Sequence, residues 1–238
     1  YSINFSPKKR KKNQIKFIIF HYTGMKKEKE AISKLTKIQS MVGAHYFIKK
    51  NGQIITMIPE LYSAWHAGIS SWKKYKSLNK YSIGIEISNP GHQFNYLNFS
   101  KKQIKSLIKL SNFLIKKYKI KKTYILGHSD IAPDRKKDPG EKFPWRFLAK
   151  NNIGIWHNFN ERKLKSLRKN KLSSTEANNF ITKLKKLGYP SKSKIVKGKL
   201  KFNKLLVKAF QRRFRPELIN GIIDHECLLI INKLIKIY

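Results

Sequence analysis

The chain has 238 residues, with 53 Lys and Arg against 13 Asp and Glu, so its formal net charge is +40. Hydrophobic residues make up 40% and aromatics 12%, enough to bury a core and to exclude wholesale disorder despite the charge. The longest apolar runs, such as Cys227–Ile231, hold about five residues against the ~18 that a membrane-spanning helix needs, and the single cysteine, Cys227, excludes an internal disulfide and a multi-cysteine metal site.

The cations are 45 Lys and only 8 Arg, spread along the whole chain. A nucleic-acid reader concentrates its charge, uses Arg for bidentate contacts and interleaves aromatics; neither pattern is present, so no specific nucleic-acid partner is expected. The excess reads as a solvated surface, with attraction to a polyanion such as an acidic envelope polymer as the alternative. The run Lys8–Lys12 before Ile15–Phe20 has the outline of a signal peptide. However, Lys16 interrupts the apolar part and no small-residue cleavage site follows. The run is read as a basic arm leading into a strand, and any export signal is expected upstream of Tyr1.

In chain order, Ile15–Tyr22 is apolar at nearly every position, as in a central strand buried on both faces. Lys29–Val42 spaces Ala31, Ile32, Leu35 and Ile38 as an amphipathic helix. Ala44–Ile48 and Gln53–Ile58 flank Asn51-Gly52, a strong hairpin signal. Tyr81–Ser88 alternates, with Ile83, Ile85 and Ile87 on one face and Gly84 and Glu86 on the other. Ser100–Tyr118 predicts a helix with Ser100 as N-cap, and Thr123–His128 another buried strand. A polar loop, Ser129–Gly140, follows. Asn158–Leu172 is charged and without a clear stripe, so it reads as a connector. Ser173 and Glu176 fit a capping box for a helix that Gly188 ends. Further short helices are predicted near Lys204–Phe214 and after Asp224. The pattern is an α/β domain, a linker and a small helical domain, with no internal repeat.

Of seven histidines, His21 and His128 stand out, because each ends a predicted buried strand. In open sheets ligands bind at that edge, and two imidazoles there could hold zinc if a third ligand joins them. The loop after His128 offers Asp130, Asp134, Asp138 and Glu141. Asp138 is the best placed, since Pro139-Gly140 stiffens the turn behind it, whereas Asp130 is read as shaping the loop. The alternative is two structural histidines and a loop-capping aspartate. Glu86 is a carboxylate in an otherwise apolar strand, which is costly unless paired or functional. Burial would raise its pKa toward that of a general base, and a salt bridge to lysine is the other reading. Lys136 could steady an oxyanion, although one lysine among 45 carries little signal.

Together these residues resemble the zinc-dependent N-acetylmuramoyl-L-alanine amidases (type 2), a family related to peptidoglycan recognition proteins. The matching segments are FIIFHYT (17–23), AHYFI (44–48) with NGQI (51–54), AWHAGIS (64–70), SIGIEISNPG (82–91) and GHSDIAPDRKKDPGEKFPW (127–145). The likeness is closest to the two-domain AmiD-type enzymes of Gram-negative envelopes, since VKAFQRRFRPELINGIIDHE (207–226) is similar to their three-helix peptidoglycan-binding module. The resemblance implies a mixed central β-sheet flanked by helices over residues 1–157, a linker over 158–172 and a helical domain over 173–238. It implies Zn2+ held by His21, His128 and Asp138, with Glu86 and Lys136 catalytic. It suggests that His45, Trp65, His66 and Asn89 line the groove, and that His92, His157 and His225 are ordinary surface residues. The implied reaction is hydrolysis of the amide between N-acetylmuramic acid, or its 1,6-anhydro form, and L-alanine of the stem peptide. Peptidoglycan or muropeptide fragments are the implied partners of a monomer. The implied location is the cell envelope or periplasm, with the cytoplasm as alternative. A non-catalytic peptidoglycan-recognition protein is the rival, and such a protein would be expected to lack a metal ligand.

Overall fold

The computed structural model describes residues 1–169, 172–193 and 196–237. The chain begins with β1 (Phe5–Ser6), β2 (Phe17–Tyr22), α1 (Glu28–Thr36) and the pair β3 (Tyr46–Ile48) and β4 (Ile54–Thr56). Three short strands follow, β5 (Ser63–Ala64), β6 (Ser71–Trp72) and β7 (Tyr75–Lys76), then β8 (Ser82–Ile87), α2 (Lys101–Tyr118) and β9 (Ile125–Gly127). Helices α3 (His128–Ile131), α4 (Trp145–Lys150), α5 (Glu161–Ser166), α6 (Ser174–Leu187), α7 (Lys199–Phe214) and α8 (His225–Ile235) complete it.

The central sheet runs β4-β3-β8-β2-β9, parallel except for β4 at one edge. Asn51-Gly52 makes the β3–β4 turn as its sequence predicts, with Gly52 at φ 89° donating to the Lys49 carbonyl. The strand alternation sorts the sheet into two faces. Ile18 and Phe20 of β2 and Ile83, Ile85 and Ile87 of β8 pack against Leu107, Leu110 and Leu114 of α2. That helix is capped by a reciprocal pair, Ser100 accepting from the Gln103 amide and Gln103 from the Ser100 amide. The opposite face carries Phe17, Ile19 and Leu126, which share one core with Phe180, Leu184, Phe210 and Ile230 of the last helices. Farther along this face, Ala31 and Leu35 of α1 cover Phe47 of β3.

Several segments differ from the sequence expectation for local reasons. Helix α1 stops at Thr36, and a 3-10 turn and a left-handed Met41 take over. The cause is the N-terminal segment: the Asn4 side-chain amide donates to the Lys37 and Val42 carbonyls at 3.0 and 2.6 Å, satisfying groups that a longer helix would use itself. The N-terminal segment is thus packed, although Lys8, Lys9, Lys11 and Lys12 of the basic run stay exposed. Arg10 is buried and donates to the Glu60 and Asn79 carbonyls. Within the described part of the stretch expected as connector lies α5, capped by Asn160 and anchored by Leu164, the one buried residue among those described there, too little apolar surface to read as a stripe. Helix α7 starts at Lys199, ahead of the expected Lys204. His157, expected on the surface, is buried with Nε2 at 3.2 Å from the Phe214 carbonyl.

Candidate active site

Parallel strands end together, so their last side chains gather along one edge. His21 is the penultimate residue of β2 and lies opposite Glu86 of β8 in register. His128 follows β9 directly as the first residue of α3. The loop beyond it turns back so that the Ser129 amide donates to the Asp138 carbonyl at 2.8 Å. Three side-chain atoms converge: His21 Nδ1 and His128 Nδ1 are 2.9 Å apart, and Asp138 Oδ2 is 3.0 Å from each. All three residues are buried, and their ligand atoms lie within 4.8 Å of one another, close enough to hold one metal ion.

The electrostatics suit a cation. Burial keeps both imidazoles from taking a proton, lowering His21 below its ordinary value and His128 to about 4, with Asp138 pulling the other way. Burial alone would push the Asp138 carboxyl up, yet the neighbouring His128 and His21 hold it well below the usual range. Two neutral nitrogens and an ionised oxygen form a donor set suited to zinc, with a fourth position left for water or substrate. The outer nitrogens are engaged as well: His128 Nε2 faces the Ala67 carbonyl at 3.2 Å, and His21 Nε2 faces His66 Nδ1 at 3.0 Å. The residues present therefore fit a divalent ion.

Glu86 is buried beside this cluster, and its Oε2 finds no hydrogen-bond partner among the described residues. Burial, then the charge of Asp138, pushes its carboxyl well above the ordinary value, with Lys136 and Lys34 opposing. The group opens into a cavity of about 460 Å³ between α1 and the 129–140 loop, where Lys34, Arg135 and Lys136 face it.

His21, Glu86, His128, Lys136 and Asp138 are brought together around this cavity, and half-buried Trp65 stands in its wall. His66 lies under His21, almost wholly buried, and is among the residues that line the same cavity. His45 and Asn89 do not face the groove. The His45 ring is fully enclosed, with Nδ1 accepting from the Gly84 amide and Nε2 against the Tyr62 carbonyl and Arg10. The Asn89 side chain is turned to the Leu97 carbonyl and the Gly91 amide. His92, expected on the open surface, is half-buried in the cavity wall between the Tyr22 hydroxyl (2.8 Å) and Glu141 (2.9 Å). Arg135, also unforeseen, holds the Ala67 and Ile69 carbonyls beside His128. Its signal in the sequence was its scarcity, an arginine where lysine is the rule.

AmiD of Escherichia coli (strain K12), an N-acetylmuramoyl-L-alanine amidase, is 33% identical over 237 residues, spanning 94% of this chain and 84% of that protein. The solved structure of E. coli AmiD with the substrate anhydro-N-acetylmuramic acid-L-Ala-D-gamma-Glu-L-Lys superposes with a TM-score of 0.82, covering 94% of this chain and 90% of that one. AmpDh3 of Pseudomonas aeruginosa gives 0.81 at 28% identity, over 98% and 94%. AmpD of Haemophilus influenzae, a 1,6-anhydro-N-acetylmuramyl-L-alanine amidase, is 41% identical over 113 residues, 47% of this chain and 59% of that protein. The model of the N-acetylmuramoyl-L-alanine amidase family matches residues 11–141, and the chain belongs to that family.

Proposed function

We propose that the protein hydrolyses the amide joining N-acetylmuramic acid, or its 1,6-anhydro form, to L-alanine of the peptidoglycan stem peptide. The observation that carries the reading is the convergence of His21, His128 and Asp138 beside Glu86 on one sheet edge, in a chain of this family. The three would hold a zinc ion, which when bound supplies a Lewis acid and lowers the pKa of water to about 7.

The chain's own groups do the rest. Glu86, with an uncommitted Oε2 and a raised pKa, takes a proton from the attacking water and delivers it to the departing alanine nitrogen. Lys136, in the cavity wall, sets a positive charge beside the oxygen on which negative charge develops. Trp65 offers an apolar wall, and Lys34 and Arg135 suit the carboxylates of a stem peptide. The cell envelope is the compartment this reading assigns, since the polymer lies there. No described helix is long and apolar enough to cross a membrane.

The test is a product analysis of a defined anhydro-muropeptide by mass spectrometry, with and without a strong chelator. Free stem peptide and free anhydro-muramic acid are expected, with loss of both on chelation and recovery on adding zinc. An untouched substrate, or cleavage at another bond, would refute the proposal.

A further inference from the structure

We infer that His66 and Ser82 are positioning residues that, through a one-way chain of hydrogen bonds ending on the Leu78 carbonyl, leave His21 Nδ1 as the bare nitrogen. This rests on the metal-site reading above and extends it to two side chains that touch no metal.

The direction follows from the far end. The Leu78 carbonyl can only accept, so the Ser82 hydroxyl at 2.6 Å must donate to it. Having spent its one hydrogen, Ser82 Oγ can only accept from His66 Nε2, 3.0 Å away. A neutral imidazole carries one N–H, and His66 is buried with Ser82 Oγ and His21 Nε2 as its bonded partners and no carboxylate among them, a setting that does not support a second proton. Its Nδ1 is then a lone pair, 3.0 Å from His21 Nε2, which must be the donor. His21 therefore carries its hydrogen on Nε2, and its bare Nδ1 points at His128 Nδ1 and Asp138 Oδ2. Each side chain is at most 5% exposed, so water does not compete for these bonds.

The seat for this chain is built into β8. Ser82, Gly84 and Glu86 alternate onto the face that carries His21. His66 lies across the middle position, where a Cβ on Gly84 would fall 2.3 Å from the ring's Cγ. Glycine there is what allows an imidazole to bridge Ser82 and His21.

The test uses the full-length protein and two readouts other than turnover. Long-range 1H–15N correlation of the histidine rings, with and without zinc, should show His66 protonated at Nε2 and bare at Nδ1. His66 protonated at Nδ1 would overturn the inference whatever any variant does. Zinc affinity, measured by competition with a chromophoric chelator, should fall about 10–100-fold in Ser82→Ala and His66→Gln. Circular dichroism of the same samples confirms that they are folded. Folded variants that bind zinc as tightly as the unmodified protein would overturn it too. A wild-type protein that takes up no zinc would sink the metal reading itself, whereas zinc bound with unchanged variant affinity would sink only the relay.

Discussion

Glu86 shows how a strand position sets a chemical property. It occupies an alternating slot beside His21, and with no cation bonded to it the carboxyl resists ionisation, first through burial and then through Asp138. Glu86→Gln keeps the shape and the metal ligands but cannot hold a proton in transit. Turnover should fall about 10²–10⁴-fold, the usual worth of a positioned base, while zinc content stays unchanged. Turnover near that of the unmodified enzyme would exclude the role. The pH dependence has a definite sign. The base works ionised, so activity should be lost as pH falls through the Glu86 pKa of the zinc-loaded enzyme, which the ion's charge sets below that of the metal-free protein. Stability of the zinc-free protein runs the other way. A raised carboxyl contributes stability that is fully present below its unfolded pKa and lost as pH rises through its folded one. Glu86→Gln should therefore melt higher than the unmodified apoprotein in neutral buffer, and the difference should close in acid.

At the scale of elements, β8 carries a serine bonded between His66 and the Leu78 carbonyl, a glycine that admits a ring and the glutamate proposed as base, all on one face, with three isoleucines on the other. Gly84→Ala tests the middle slot. The new methyl must displace the His66 ring, so stability should drop by about 1–3 kcal/mol, the usual cost of overpacking, and zinc should bind more weakly. Chemical denaturation and chelator competition would measure the two, and a variant unchanged in both would show that the ring has room to move. The isoleucine alternation was legible because it is local, as were the caps at Ser100 and Ser173 and the Asn51-Gly52 turn. The positions of His21 and His128 were legible too, since apolar runs announce where strands end. The end of α1 was not, because Asn4 closes it from about thirty residues away. The place of His66 at the groove was legible from its segment, but its contacts with Ser82 and His21 were not, because they depend on a glycine of β8 that leaves room for the ring.

Across the whole molecule the two cations divide the labour. No lysine is among the buried residues described, whereas Arg10, Arg212, Arg213 and Arg215 are buried. In this lysine-rich chain, Arg10, Arg213 and Arg215 stand where a planar, forked donor serves several acceptors away from water. Arg213 of α7 is the clearest case, bonding Asp130 at 2.6 Å and the Ile125 carbonyl at 3.0 Å while its guanidinium lies 4.2 Å from the Trp145 ring centre. Asp130 also accepts from the Gly127 amide and from the Tyr189 hydroxyl, both at 2.8 Å, so the last helices grip the turn that presents His128. Composition revealed the helices but not this grip, because partners 83 residues apart leave no local mark. The helices also cover Phe17, Ile19 and Leu126 on the sheet. A chain cut after His157 would expose that face and leave Asp130 without Arg213, and removing one partner of a buried pair alone costs about 3–5 kcal/mol. Against a total stability of about 5–15 kcal/mol, residues 1–157 alone should lack a cooperative thermal transition, and the zinc site should be lost with the fold. Calorimetry and zinc uptake of the shortened chain would decide it. A sharp transition with tight zinc binding would mean that the sheet supports the site unaided, leaving the helices free for a separate role at the wall.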